Sequence, residues 1–575
     1  MKYSKKYIVF TIIMVTILLI NFHVLDETDG ELDQFRGAKL ESKIWSPMVA
    51  ADVNGSIITV NIDNKTFTSE DTKIYMDDNR NIMLPVSILT EALNCSVHIY
   101  DGTQLLVEKH SNEAQLELDS TDASSNGKSV SIVSPFTTID DIYYVSLNDL
   151  SNLLGYTCSF DISTNTIATV DDSDGVTLYP TSYDLRKKGR ISKIRNQGSY
   201  GTCWAFAAIS AMESELLPER PMLFSVDHMT MCNSFNVNQY DGGQYTMGMA
   251  YLAAWQGPVY EEDDPYGDNQ TNDTLSPVMH TQEIRIIDGK DYDGIKEAVF
   301  KYGGVQTSLY STIRSSQGSS TYYNKKTNSY CYIGTAKSNH DVVIIGWDDN
   351  YSKENFNAPL EGDGAFICQN SWGENFGDNG VFYVSYYDTN IGTHNLVYTG
   401  IESTDNYDNI YQSDLCGWVG KMGYDKEDIY GANVFTANDN EDIVAAGFYA
   451  TASDTEYELY VVENFVDTNS FSHKKKVASG VLEHAGYYTI DFDSAVEVTA
   501  GEKYAVVLYV KTPGSIHPMA IEYDSGDEFI SGVNLDDGEG YISYNGSTFK
   551  NVKEEKMCNL CIKAFSNNKL WMKNY

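Results

Sequence analysis

Cys203 stands where a loop bearing two glycines runs into a helix-forming stretch, Asn196-Gln-Gly-Ser-Tyr-Gly-Thr-Cys-Trp-Ala-Phe-Ala-Ala-Ile-Ser210. The pattern predicts a helix from Trp204 to Leu217, with Cys203 at its N-terminus. A helix N-terminus carries partial positive charge, which favours thiolate over thiol and so a nucleophile. Gln197 lies six residues upstream, and its side-chain amide can loop back. Together with the Cys203 backbone N–H it would make a two-donor oxyanion hole. A reactive thiol needs an imidazole, and His340 opens an apolar strand in Ser338-Asn-His-Asp-Val-Val-Ile-Ile-Gly-Trp347. Asn370 ends another strand in Phe366-Ile-Cys-Gln-Asn-Ser-Trp-Gly373. Its amide oxygen can accept from the second imidazole N–H and fix the ring, with Trp372 placed to keep water off that bond. A lone cysteine is usually inert core. Four such residues in register point instead to acyl transfer through a thioester.

These motifs resemble those of the papain-like cysteine peptidases, over about 215 residues. The resemblance implies an α+β fold of two lobes, with Cys203 as nucleophile and His340 as general base and acid. It makes Asn370 the orienting residue and Gln197 an oxyanion donor. It also matches the opening segment Pro180-Thr-Ser-Tyr-Asp-Leu-Arg186, and Gly242 and Gly243, a pair that lines substrate subsites along with Trp372. No metal or organic cofactor is implied for the site. The departures are specific. Tyr200 and Tyr240 occupy the positions of a family cystine, so packing must serve there; Cys232 matches a half-cystine with no partner downstream. Asp341 replaces the small residue that follows the catalytic histidine and borders the S2 pocket. It would either favour a basic P2 side chain or pair with a nearby cation. The family's helical pro-region pattern is not visible upstream.

The elements that must position these groups belong to a larger chain. It has 575 residues, with 81 acidic against 40 basic and a net charge of −41. That balance argues against general nucleic-acid binding, which needs cations to neutralise phosphates. Aromatics at 12% argue against a disordered acidic chain. Lys2, Lys5 and Lys6 precede an apolar run to Leu25, so residues 1–25 read as a signal peptide or signal anchor. Residues 26–52 read as a spacer. Residues 53–172 form an α+β domain of two related units, Leu84–Asn94 and Val145–Gly155 each giving a helix followed by strands. This domain resembles the copper amine oxidase N-terminal-like domain; copper is not implied, since His98 and His110 stand without a histidine cluster. Residues 173–392 hold the peptidase-like motifs. Residues 393–575 alternate in short strands separated by turns, an all-β sandwich that resembles the lectin-like domain following the papain domain in clostridial cell-wall proteases. Clustered carboxylates leave a structural calcium open there, although Asn534-Leu-Asp-Asp-Gly-Glu539 is not an EF-hand loop. Cys558 and Cys561 read as a local disulfide or two free thiols.

The sequence thus predicts an exported, cell-surface cysteine endopeptidase, membrane-anchored or secreted. Its partners would be polypeptide substrates and, through the last domain, cell-wall carbohydrate. It would meet the membrane only through its N-terminal segment. The alternative is a surface adhesin or wall-binding protein whose papain domain is an inactive scaffold. An acyl transferase with the same Cys/His logic differs only in the acceptor.

Overall fold

The computed structural model describes residues 59–62, 65–68, 75–77, 82–93, 96–109, 112–125, 128–139, 142–154, 156–161, 166–171, 176–178, 181–313, 315–526 and 529–569. The N-terminal run, the 26–52 spacer and His110 lie outside the described residues. Among those described, no helix is long and apolar enough to cross a membrane. The chain divides into two compact units, Met1–Thr181 and Ser182–Tyr575.

In the first unit the internal repeat becomes geometry. Strand Ile82–Pro85 leads into helix Val86–Leu93, and strand Ile142–Ser146 leads into helix Leu147–Leu153. The two strands pair antiparallel, Leu84 opposite Val145, so the related halves meet back to back. Their apolar faces share one core, including Leu84, Leu89, Leu105, Phe136, Val145 and Leu150. The strands that follow the helices, Ser96–Tyr100 and Tyr156–Asp161, open separate antiparallel sheets.

The second unit starts with a helical lobe, Cys203–Leu216, Val226–Met231 and Tyr245–Ala253. The first of these helices is apolar almost all round and almost wholly buried, as a central helix must be. It packs on the strands Val305–Leu309, His340–Asp348 and Asn395–Glu402 of a second lobe. That lobe is a sheet in the order 381–385, 365–369, 340–348, 305–309, 395–402 and 280–287. Strand Asn395–Glu402 pairs with Val305–Leu309 and His280–Ile287, so the peptidase-like sheet continues past residue 392.

The same sheet runs on into the C-terminal sandwich, because His280–Ile287 also pairs with Ala485–Val498. Gly486 sits at this junction with φ +147, where a Cβ would lie 2.1 Å from the Ile284 carbonyl oxygen. Only glycine allows that approach. The second sheet of the sandwich contains Lys475–Leu482, Thr455–Val462, Lys503–Lys511, Asp428–Thr436 and Gly540–Ser543 in antiparallel order. Ile429, Phe448, Leu459, Val506, Leu508 and Ile562 fill the space between the sheets. Cys558 and Cys561 are free thiols, both buried.

Candidate active site

Cys203 opens its helix one residue earlier than the pattern predicts. Thr202, the N-cap, makes no side-chain cap; its hydroxyl bonds the Tyr266 hydroxyl at 2.7 Å. The first N–H groups of the helix are therefore left for the cleft. The Cys203 sulfur accepts from the backbone N–H of Asp341, which ties it to the start of strand His340–Asp348. His340 is the first residue of that strand, opposite Leu309. The neighbouring antiparallel strand Ala365–Gln369 ends alongside and delivers Asn370. His340 Nε2 donates to Asn370 Oδ1 at 2.8 Å. The Trp372 ring stacks on the imidazole, with centroids 4.6 Å apart and planes at 20°. Trp372 is only 5% exposed, so its ring covers one face of the imidazole.

Gln197 is buried and held at both ends of its amide. Nε2 donates to the Tyr200 carbonyl at 2.8 Å, and Ser371 Oγ donates to Oε1 at 2.6 Å. The Gln197 backbone N–H bonds the Ser371 carbonyl at 2.8 Å. An amide nitrogen carries two hydrogens, so one remains for an oxyanion. Ser371 escaped the sequence reading although it stands between Asn370 and Trp372; nothing in its type or spacing marks its contact with Gln197.

The electrostatics set burial against the helix N-terminus. The helix N-terminus does not by itself yield a thiolate: burial, reinforced by the Asp341 carboxylate, pushes the Cys203 thiol up to about 12. The N–H groups of Asp341, Trp204 and Cys203 pull the other way and lose. Burial likewise lowers His340 to about 4, against the opposing bond to Asn370. Each charge alone is costly at these positions. Moving a proton from sulfur to ring would make two opposite charges at once, which would offset part of both costs.

The glycine pair packs on the helix start. A Cβ on Gly243 would lie 2.3 Å from Trp204 Nε1, and one on Gly201 would lie 2.7 Å from the Gly242 nitrogen. Backbone, not side chain, thus forms this wall of the cleft. Where the family cystine would be, the Tyr200 and Tyr240 rings meet at 4.8 Å and 51°, and Tyr200 Oη donates to Asn269 Oδ1 at 2.9 Å. An exposed ring contact of this kind constrains the chain less than a disulfide would. Cys232 is a free thiol, its sulfur 3.0 Å from Thr271 Oγ1. Two neutral donors hold the Asp341 carboxylate. Its Oδ1 accepts from Ser308 Oγ at 2.7 Å and its Oδ2 from Gln306 Nε2 at 3.1 Å.

This two-lobed fold, with a cysteine at the central helix and a His–Asn pair on the facing sheet, defines a papain-like cysteine peptidase domain. Residues 179–401 match the family model of the papain family cysteine protease. Residues 61–169 match the copper amine oxidase N-terminal domain, and residues 410–566 the lectin like domain. Among curated proteins the chain is similar to pro-cathepsin H of Mus musculus, 28% identical over 217 residues. Those residues are 36% of this chain and 61% of that protein. Cathepsin S of Mus musculus is 28% identical over 214 residues, 35% of this chain and 57% of that protein. The chain thus spans less than two thirds of the length of either relative. A crystal structure of the cysteine protease and lectin-like domains of Cwp84, a surface layer associated protein of Clostridium difficile, matches with TM-score 0.61 and 27% identity. It covers 68% of this chain and 90% of its own. A second Cwp84 structure, obtained after propeptide cleavage, matches with TM-score 0.60 and 27% identity over 68% of this chain and 99% of its own.

Proposed function

We propose that this chain is an exported cysteine endopeptidase of the cell surface. The observation that carries the reading is the His340 imidazole, fixed by Asn370 and Trp372 at the strand end whose next N–H holds the Cys203 sulfur. As a peptide carbonyl docks, the Cys203 proton passes to His340 Nδ1 while the sulfur bonds the carbonyl carbon. The oxyanion takes the spare Gln197 Nε2 hydrogen and the Cys203 backbone N–H. His340 gives its proton to the leaving amine as the C–N bond breaks. A water, deprotonated by His340, then cleaves the thioester and restores the thiol. An inactive scaffold has no need to hold the Gln197 amide at both ends, which argues against the adhesin alternative. Surface location is supported by the surface-layer association of Cwp84 and by the N-terminal basic and apolar run. A thiol-directed epoxide should label Cys203, and Cys203→Ala should abolish peptide cleavage while leaving the melting temperature unchanged. Full cleavage by that variant would refute the assignment.

We further propose that the lectin-like domain binds cell-wall carbohydrate and holds a structural calcium. Asn559 Nδ2 has four acceptors around it: the Ser413 carbonyl at 2.6 Å, Glu522 Oε2 at 2.9 Å, the Asn534 carbonyl at 3.0 Å and Asp537 Oδ1 at 3.4 Å. Two hydrogens cannot serve four oxygens. With the Asn559 amide turned so that its oxygen faces inward, the set is five oxygens including two carboxylates, a hard-cation donor set.

A further inference from the structure

Thr202 is of a residue type that caps helices, and it stands at the N-cap of the helix that Cys203 opens, yet its hydroxyl bonds no helix N–H. Ser225 and Asp291, the N-caps of helices Val226–Met231 and Tyr292–Lys301, do what their type predicts. Ser225 Oγ accepts from the His228 N–H at 3.0 Å, and Asp291 Oδ1 from the Gly294 N–H at 2.9 Å. Thr202 differs in what else it meets. Its Oγ1 is 2.7 Å from Tyr266 Oη, and Tyr266 Oη donates to the Gln197 carbonyl at 3.0 Å. A phenol has one hydrogen and a carbonyl has none, so the chain of donors runs from Thr202 through Tyr266 to Gln197. The Thr202 backbone follows, with ψ 15° where Ser225 has ψ 123°, in the extended region usual for a cap.

The Tyr266 ring is held from two sides. It meets Phe206 of the central helix edge-on at 4.7 Å and 76°, and Tyr200 of the loop before that helix at 6.1 Å and 85°. Burial lifts its hydroxyl above the ordinary phenol range, so it is a donor at neutral pH. Thr202 is only 1% exposed. A buried hydroxyl without a partner is costly, so one released by Tyr266 would turn to the helix. The Ala205 N–H already bonds the Thr202 carbonyl at 3.1 Å. The N–H left for a cap is that of Trp204, which together with the Cys203 N–H bonds the sulfur and favours its anion.

We propose that Tyr266 is a positioning residue for the thiol: by occupying the Thr202 hydroxyl it prevents the cap that would take the Trp204 N–H from the sulfur. Through the Gln197 carbonyl the same hydroxyl chain ties the helix start to the residue that carries the second oxyanion donor. A side chain 64 and 69 positions away thus decides which way the helix N-terminus is spent.

The proposal rests on the peptidase reading, and the experiment separates the two. The full chain is alkylated with iodoacetamide across a range of pH, the rate being followed at Cys203 by mass mapping of its peptide, which requires no peptide cleavage. In Tyr266→Phe, which keeps both ring contacts, the freed Thr202 hydroxyl caps the helix and the sulfur loses one N–H. The alkylation profile should move up by about one pH unit, making the reaction about tenfold slower at any pH below its plateau. Cleavage of a fluorogenic peptide should fall about tenfold in kcat with KM little changed, because the lost N–H acts on charge that forms during reaction. The double variant Tyr266→Phe with Thr202→Val has no hydroxyl to cap, and both quantities should return most of the way to the parent. Valine at position 202 restores no hydroxyl at position 266, so a loss that came from disturbed packing would persist. A Tyr266→Phe profile that matches the parent, or a shift that Thr202→Val does not reverse, would overturn the proposal. A parent chain that cleaves no peptide would end the peptidase reading, while the alkylation shift and its reversal would still decide the role of Tyr266.

Discussion

Ser371→Ala tests whether the oxyanion donor is set by the residue between Asn370 and Trp372. In the structure, the Gln197 amide is anchored by its 2.8 Å bond to the Tyr200 carbonyl and by the 2.6 Å bond from Ser371 Oγ. Removing the hydroxyl leaves Oε1 buried without a side-chain donor, which costs about 1–3 kcal/mol. The amide can relieve that cost by swinging Oε1 toward cleft water, and Nε2 leaves its place as it does so. A penalty of about 1–2 kcal/mol on the competent rotamer reduces its population about 5–30-fold. The loss should appear in kcat, with KM little changed, because the donor acts when charge develops on oxygen. It cannot exceed the loss from Gln197→Ala, which removes the donor and should cost about 100–1000-fold. The assay is steady-state cleavage of one fluorogenic peptide by both single variants and the double variant. In the Gln197→Ala background the Ser371 change should cost almost nothing, since there is no amide left to misplace. The reasoning fails if Ser371→Ala keeps kcat within about twofold of the parent, or if its loss is undiminished in the double variant.

The remaining expectations concern the sulfur and the sandwich. In His340→Ala the Cys203 proton has no acceptor, and a thiol held up to about 12 is protonated at neutral pH. Its alkylation by iodoacetamide near neutrality should fall at least about 100-fold and then rise about tenfold per pH unit into the alkaline range; alkylation as fast as in the parent would refute the coupled pair. A chelator should lower the melting temperature of the full chain and added calcium should restore it, a hundredfold excess over Kd corresponding to about 2.7 kcal/mol of stabilisation. Asn559→Ala should remove that response, and a calcium response unaffected by Asn559→Ala, or none in the parent, would count against the site.

The four chemical residues are legible in the sequence because each sits at the end of an element. Cys203 begins a helix, His340 begins a strand, Asn370 follows one, and Gln197 lies in the loop that feeds the helix. Element ends are announced locally, by glycines and by the onset of apolar periodicity, so their contents can be placed before the fold is known. The repeat in the first unit is legible for the same reason, since each copy writes its own strand and helix. What the sequence hides depends on contacts between distant segments. Ser371 and Gln197 meet across 174 positions, and Tyr200 and Tyr240 look like two unrelated losses until their rings are seen together. Strand Asn395–Glu402 belongs to the peptidase-like sheet because of its partners, not its composition. The protonation of Cys203 makes the same point in energetic terms. A helix N-terminus is a local feature and favours the thiolate by a fraction of a unit charge. Desolvation is set by whatever the fold lays over the sulfur, and within this site it is the larger effect. The proposed nucleophile is therefore placed by its position in the sequence, whereas its protonation depends on what the tertiary fold lays around it.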